Sequence, residues 1–106
     1  MDEVPTRNHA EAHAKAVVDG DMDSVVNDFV PDMRDGVGDV AEKLPQPTTD
    51  AQIQKFEMED DHAVVQIRYS NDDGSLTITT RWEEHDGRPM IVKVLGVEEG
   101  GPSLDT

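Results

Sequence analysis

The spacing of apolar residues changes near Ala51, and that change constrains the fold more than any other feature of the chain. Before it, apolar residues recur every three or four positions, the period of a helix with one buried face. Ala10, Ala14, Val17 and Val18 make one such stripe. It predicts a first helix from Thr6, as N-cap, to Asp19, closed by Gly20 in a left-handed cap. Met22, Val25, Val26, Phe29 and Val30 make a second stripe, which Asp21 or Asp23 would cap and Pro31 would stop. Val37, Val40, Ala41 and Leu44 predict a short third helix around 39–44. An extended linker, Pro45-Gln46-Pro47-Thr48-Thr49, follows it.

From Ala51 onward apolar and polar residues alternate, which is the period of a strand. Runs at 51–58, 63–69, 75–83 and 90–97 are separated by Glu59-Asp60-Asp61, Asn71-Asp72-Asp73-Gly74 and His85-Asp86-Gly87. Connections this short join only antiparallel neighbours, so a four-stranded meander is predicted. Leu76, Ile78, Thr80 and Trp82 share one face of the third run, and Val65, Ile67 and Tyr69 share one face of the second. The fourth run is apolar on both faces, with Met90, Val92 and Val94 on one and Ile91, Leu95 and Val97 on the other, interrupted by Lys93. Helices can cover one face. A second copy is the simplest cover for the other, so the expected partner is a homodimer packed through the sheet.

Two local patterns carry a resemblance. One is Ala16-Val17-Val18-Asp19-Gly20-Asp21-Met22-Asp23, followed by Phe29 and Asp32. The other is Arg81-Trp82-Glu83-Glu84-His85-Asp86-Gly87-Arg88-Pro89-Met90-Ile91-Val92, an aromatic-bearing strand leading through an Asp-Gly turn into a final apolar strand. Together they resemble the superfamily of nuclear transport factor 2, the ketosteroid isomerases and the SnoaL-like polyketide cyclases, over about Ala10 to Val97. The resemblance implies an α+β, cystatin-like cone: two to three N-terminal helices on a curved four-stranded antiparallel sheet, with a pocket between them and often a dimer. The chain departs from the family by lacking its first short strand, between the second and third helices. It also lacks the isomerases' catalytic aspartate pattern after Asp32, so no catalytic residue is carried over. That superfamily includes enzymes, binding modules and assembly domains, so fold does not fix function.

Length and composition bound the rest. The 106 residues allow one domain, expected at 6–97, with flexible tails at 1–5 and 98–106. A chain of this size buries roughly 60–70% of its unfolded surface and needs no staple. It has no cysteine, which excludes disulfides and thiolate chemistry. No run approaches the ~18 apolar residues of a membrane helix, and the first five residues lack a basic region and an apolar run. The default expectation is a cytoplasmic protein. The net charge of −15, from 24 acids against 9 Lys and Arg, argues against nucleic acid and anionic membranes as partners.

His9 and His13 stand four apart on the first helix, a spacing that two metal ligands can share. No third ligand is evident, so neither metal nor cofactor is expected. His13 is instead a candidate acid–base group in the pocket. Phe29, Tyr69, Trp82 and Met90 are candidates for its wall, or for ordinary core. Asp32 and Asp35 are the acids to test, because the others cluster in solvated turns. Arg68, Arg81 and Lys93 are expected to face outward and pair with acids such as Glu57 or Glu83. Phosphate-loop, nucleophile-elbow, calcium-loop and dinucleotide patterns are missing.

These observations favour a domain that binds a small apolar ligand or dimerises, and lean away from an enzyme. An isomerase or cyclase using His13 or Asp32 is the alternative, and an acidic protein-interaction module is a third. The acid excess reads as a solubilising surface, as adaptation to high salt or as a cation-binding surface. Salt screens the mutual repulsion of these carboxylates, so thermal melts should move upward between about 0.05 M and about 1 M salt. A melting temperature that stays level would show that the repulsion does not bear on folding.

Overall fold

The structure is a computed structural model and describes residues 2–100. Helix α1 spans Glu3–Asp19, α2 Met22–Asn27 and α3 Arg34–Ala41, with a 3₁₀ turn at Pro31–Met33 leading into α3. Strands β1 (Asp50–Met58), β2 (Ala63–Ser70), β3 (Ser75–His85) and β4 (Arg88–Gly100) follow in that order across one antiparallel sheet. The class is therefore α+β with a meander, as the change of period predicts.

The helices differ from expectation at their ends. Helix α1 begins at Glu3, so Thr6 lies inside it and is not its cap. The Thr6 side chain is fully buried and its hydroxyl donates to the Asp2 carbonyl at 2.6 Å, the backward bond of an interior threonine. Pro5 is tolerated because a first-turn residue has no helical acceptor for an N–H. Residues 3–5 are thus helix rather than tail, and 98–100 pair with Ser75, Leu76 and Thr77 as part of β4. Residues 101–106, the remainder of the expected tail, lie outside the described residues. Gly20 does close α1 in the left-handed region, at φ 75°.

Helix α2 is capped as expected: the Asp21 carboxylate accepts from the Ser24 N–H at 3.3 Å and from its hydroxyl at 2.8 Å. It ends at Asn27, before Phe29. The next residues turn extended because β4 competes for their backbone. The Ile91 N–H donates to the Asp28 carbonyl at 2.7 Å, and the Val30 N–H donates to the Ile91 carbonyl at 3.0 Å. Phe29 and Ile91 form a parallel bridge. Between α2 and α3 the chain thus makes a one-residue bridge and no strand. Helix α3 begins five residues before the predicted 39. Gly36 and Gly38 weaken the local helical signal, and burial of Val37 with partial burial of Val40 and Ala41 overrides it.

The sheet buries one face against the helices. Ala63, Val65, Ile67 and Tyr69 of β2 pair with Trp82, Thr80, Ile78 and Leu76 of β3 on that face, as expected. Fully burying side chains such as Trp82, Leu76 and Ile91 is worth about 1.5–3 kcal/mol each. Irregularities in the ladders rotate the outer strands. In β1 one falls between Ile53 and Lys55, which keeps Ala51, Ile53, Phe56 and Met58 opposite inward residues of β2. In β4, Val92 and Leu95 are unpaired, and Ile91, Val94 and Val97 oppose Trp82, Thr80 and Ile78. The apolar residues of β4 thus reach the inner face at every third position. The bulges change which residues share a face: Ile91, Val94 and Val97 turn inward together, while Met90 opposes Glu83 on the outer face. Leu95 remains 47% exposed at one of them. Arg68, Arg81 and Lys93 oppose outward residues, and Arg81 pairs with Glu83 at 2.8 Å. The Asp86-Gly87 turn between β3 and β4 has positive φ at both residues, the geometry that favours this dipeptide in hairpins.

Candidate functional site

Two titratable side chains from different elements meet in the interior. His13 comes from the buried face of α1 and is 6% exposed. Asp28 sits just after α2, in the segment that bridges to Ile91. The His13 Nδ1 lies 2.8 Å from Asp28 Oδ2. A carboxylate only accepts, so Nδ1 carries the proton of this contact, and Nε2 is the ring nitrogen that the contact leaves free. Phe29 and Trp82 meet the ring edge-on, with centroids 5.9 Å and 5.7 Å away. The orientation of the imidazole is therefore fixed on three sides. The Trp82 indole N–H is spent on the Thr80 hydroxyl at 2.9 Å, so Trp82 is packing here and not a free donor.

Asp28 is itself held from the other side. Arg88, at the start of β4, donates to the Asn27 carbonyl and stands 3.6 Å from Asp28 Oδ1. A carboxylate with little exposure needs such partners to remain in place.

His13 borders a cavity of about 30 Å³ between the helices and the sheet. Val25, Phe29, Val37, Tyr69 and Thr80 also line it. That volume suits a water or two and no ligand. Outside it lies a groove of about 710 Å³ along Val18, Asp19, Gly38, Glu42, Pro47 and Thr48. Val17, Met22, Ala41 and Leu44 line both spaces, so one layer of side chains separates them. The groove's charged groups are Asp19 and Glu42, and no Lys or Arg lines it.

Of the residues expected at the site, His13, Phe29 and Tyr69 line the cavity, and Trp82 packs against the His13 ring without lining it. Asp32 does not: it is exposed on the 3₁₀ turn, because the chain reverses there and points it to solvent. Asp35 is exposed as well. Met90 opposes Glu83 on the outer face, beside Arg34 and Arg88, so it is no part of the inner wall. His9 is half-buried, and among the described residues no group of three metal-ligating side chains forms. Asp28 was the residue missed. A signal for it exists: Phe29-Val30 before Pro31 is an aromatic and β-branched pair that favours extended backbone, which would end α2 before Asp28. No described helix is long and apolar enough to cross a membrane.

Burial pushes the Tyr69 phenol well above its ordinary value, and the nearby Asp28 charge pushes it further. Tyr69 is 2% exposed and stays a protonated donor across the neutral range. Above pH 10.0, the ordinary phenol value, the unfolded chain loses this proton while the folded chain keeps it. Stability is complete below that value and falls as pH rises from it through the raised folded value. Urea midpoints measured from about pH 8 to about pH 11 should drop at the alkaline end, and Tyr69→Phe should flatten the drop. Identical alkaline slopes in the two proteins would contradict the assignment.

Comparison with models of protein families, with curated proteins and with solved structures finds no match to the chain.

Proposed function

We propose that this chain binds a small apolar molecule between its helices and its sheet, with His13 as the polar contact. The observation that carries the reading is the shared wall: Val17, Met22, Ala41 and Leu44 separate a ligand-sized groove from the cavity that holds His13. Apolar lining with a few convergent polar groups is the general character of small-molecule sites. The groove carries carboxylates and no cation, and the chain carries −15 overall, so the favoured ligand is neutral or cationic.

Two dyes test this. Nile red, which is neutral, should bind saturably at about 1–100 μM. Anionic 1-anilinonaphthalene-8-sulfonate should bind at least about tenfold more weakly. Leu44→Trp, which plugs the shared wall, should weaken Nile red by about tenfold or more with circular dichroism unchanged. Unsaturable binding, or no effect of the plug, would sink the proposal.

The His13–Asp28 contact of 2.8 Å favours a second reading, a proton-transfer enzyme of the isomerase or cyclase kind. Asp28 holds the tautomer that makes Nε2 a base, and Tyr69 offers a protonated hydroxyl on the same cavity. Incubating 2-tetralone with the protein in heavy water tests it. Exchange of the α-protons should exceed the buffer rate and vanish in His13→Asn. Equal rates with and without protein would leave ligand binding as the sole reading.

A further inference from the structure

The cavity at His13 is far smaller than the groove outside it, so nothing larger than water reaches His13 unless a wall moves. The walls are not equally firm. Strands β2 and β3 are paired on both sides. Helix α1 has 17 residues and buries six of them. Helix α3 has eight residues and buries only Val37, and the residue at its N-cap position, Met33, supplies no side-chain hydrogen bond.

Gly36 and Gly38 lie inside α3. A Cβ built on either meets nothing within 4 Å, and neither has a positive φ. Gly20 differs, because its φ of 75° requires glycine. Neither packing nor backbone geometry demands Gly36 and Gly38, yet each lowers the stability of the helix that contains it. Helix α3 is held by Val37, Val40 and Ala41 and, at its first residue, by the Arg34 Nε–H donating to the Phe29 carbonyl at 3.2 Å; the three apolar residues line the cavity, and so does Leu44 just beyond the helix. The apolar surface uncovered by lifting α3 is the surface that a ligand would cover again.

We infer that α3 is a lid over His13, and that Gly36 and Gly38 set how often it opens. The inference rests on the ligand-binding reading, and its test does not need a ligand. Diethyl pyrocarbonate modifies exposed imidazole nitrogens. His13 is 6% exposed with Nδ1 held by Asp28, so the reagent must wait for the lid. In the full chain carrying Gly36→Ala and Gly38→Ala, modification of His13, read by peptide mass, should slow by about 5–30-fold. Exposed His85 should react at an unchanged rate in the same sample. Amide exchange in α3 should slow by a similar factor, with β2 and β3 unaffected.

Asp39→Gly, a third glycine at an exposed position of α3, should speed His13 modification by about 2–5-fold. This second variant decides the matter if the double alanine protein folds poorly. A His13 rate indifferent to both variants, or α3 amides as protected as those of β2, would overturn the lid. Failure of Nile red to bind, with His13 still responding to the glycines, would overturn the ligand-binding reading and leave the lid standing.

Discussion

Asp28 is where the two halves of the molecule are tied. Its carbonyl accepts the Ile91 N–H at 2.7 Å, its carboxylate accepts from His13 at 2.8 Å, and Arg88 stands 3.6 Å from its other oxygen. One residue thus joins the buried face of α1, the end of α2 and the start of β4. The site follows from this arrangement. A histidine on a helix is free to turn; this one is fixed by a carboxylate and by two aromatic edges. Leaving such a carboxylate without partners would cost more than any one of its bonds contributes, which makes the arrangement close to all-or-none.

The site also depends on an uneven distribution of firmness. The sheet interior and α1 present the fixed wall, with Trp82, Ile91 and Ala10 fully buried in it. The cavity's other lining includes α3, held by a narrow apolar stripe and the Arg34 bond to the Phe29 carbonyl, and diluted by two glycines. Local opening is drawn from elements with few buried contacts. The polar pair is tied to the other wall, His13 by its place on α1 and Asp28 by its bond to Ile91 and its approach to Arg88.

Much of this was legible in the sequence. The change of period near Ala51 located all four strands, and the alternation in β2 and β3 assigned their inner faces. Those features are local, and local rules suffice for them. Bulges are not local: the unpaired Val92 and Leu95 are set by the partner strand, so the facing of β4 could not be read from alternation. The same limit explains why Asp32 stood out and Asp28 did not. Asp32 follows a helix-stopping proline, a local signal. Asp28 acquires its role from Ile91 and Arg88, some sixty residues later, through backbone pairing that ends α2 early.

The coupling between His13 and Asp28 is the quantity on which this account stands. A double-mutant cycle by urea denaturation, with His13→Ala, Asp28→Ala and the double variant, measures it directly. The expected coupling is about 1–3 kcal/mol, the value of a hydrogen bond to a charged group away from solvent. Single changes that add to within about 0.3 kcal/mol would show that the two side chains do not hold each other, and would contradict it.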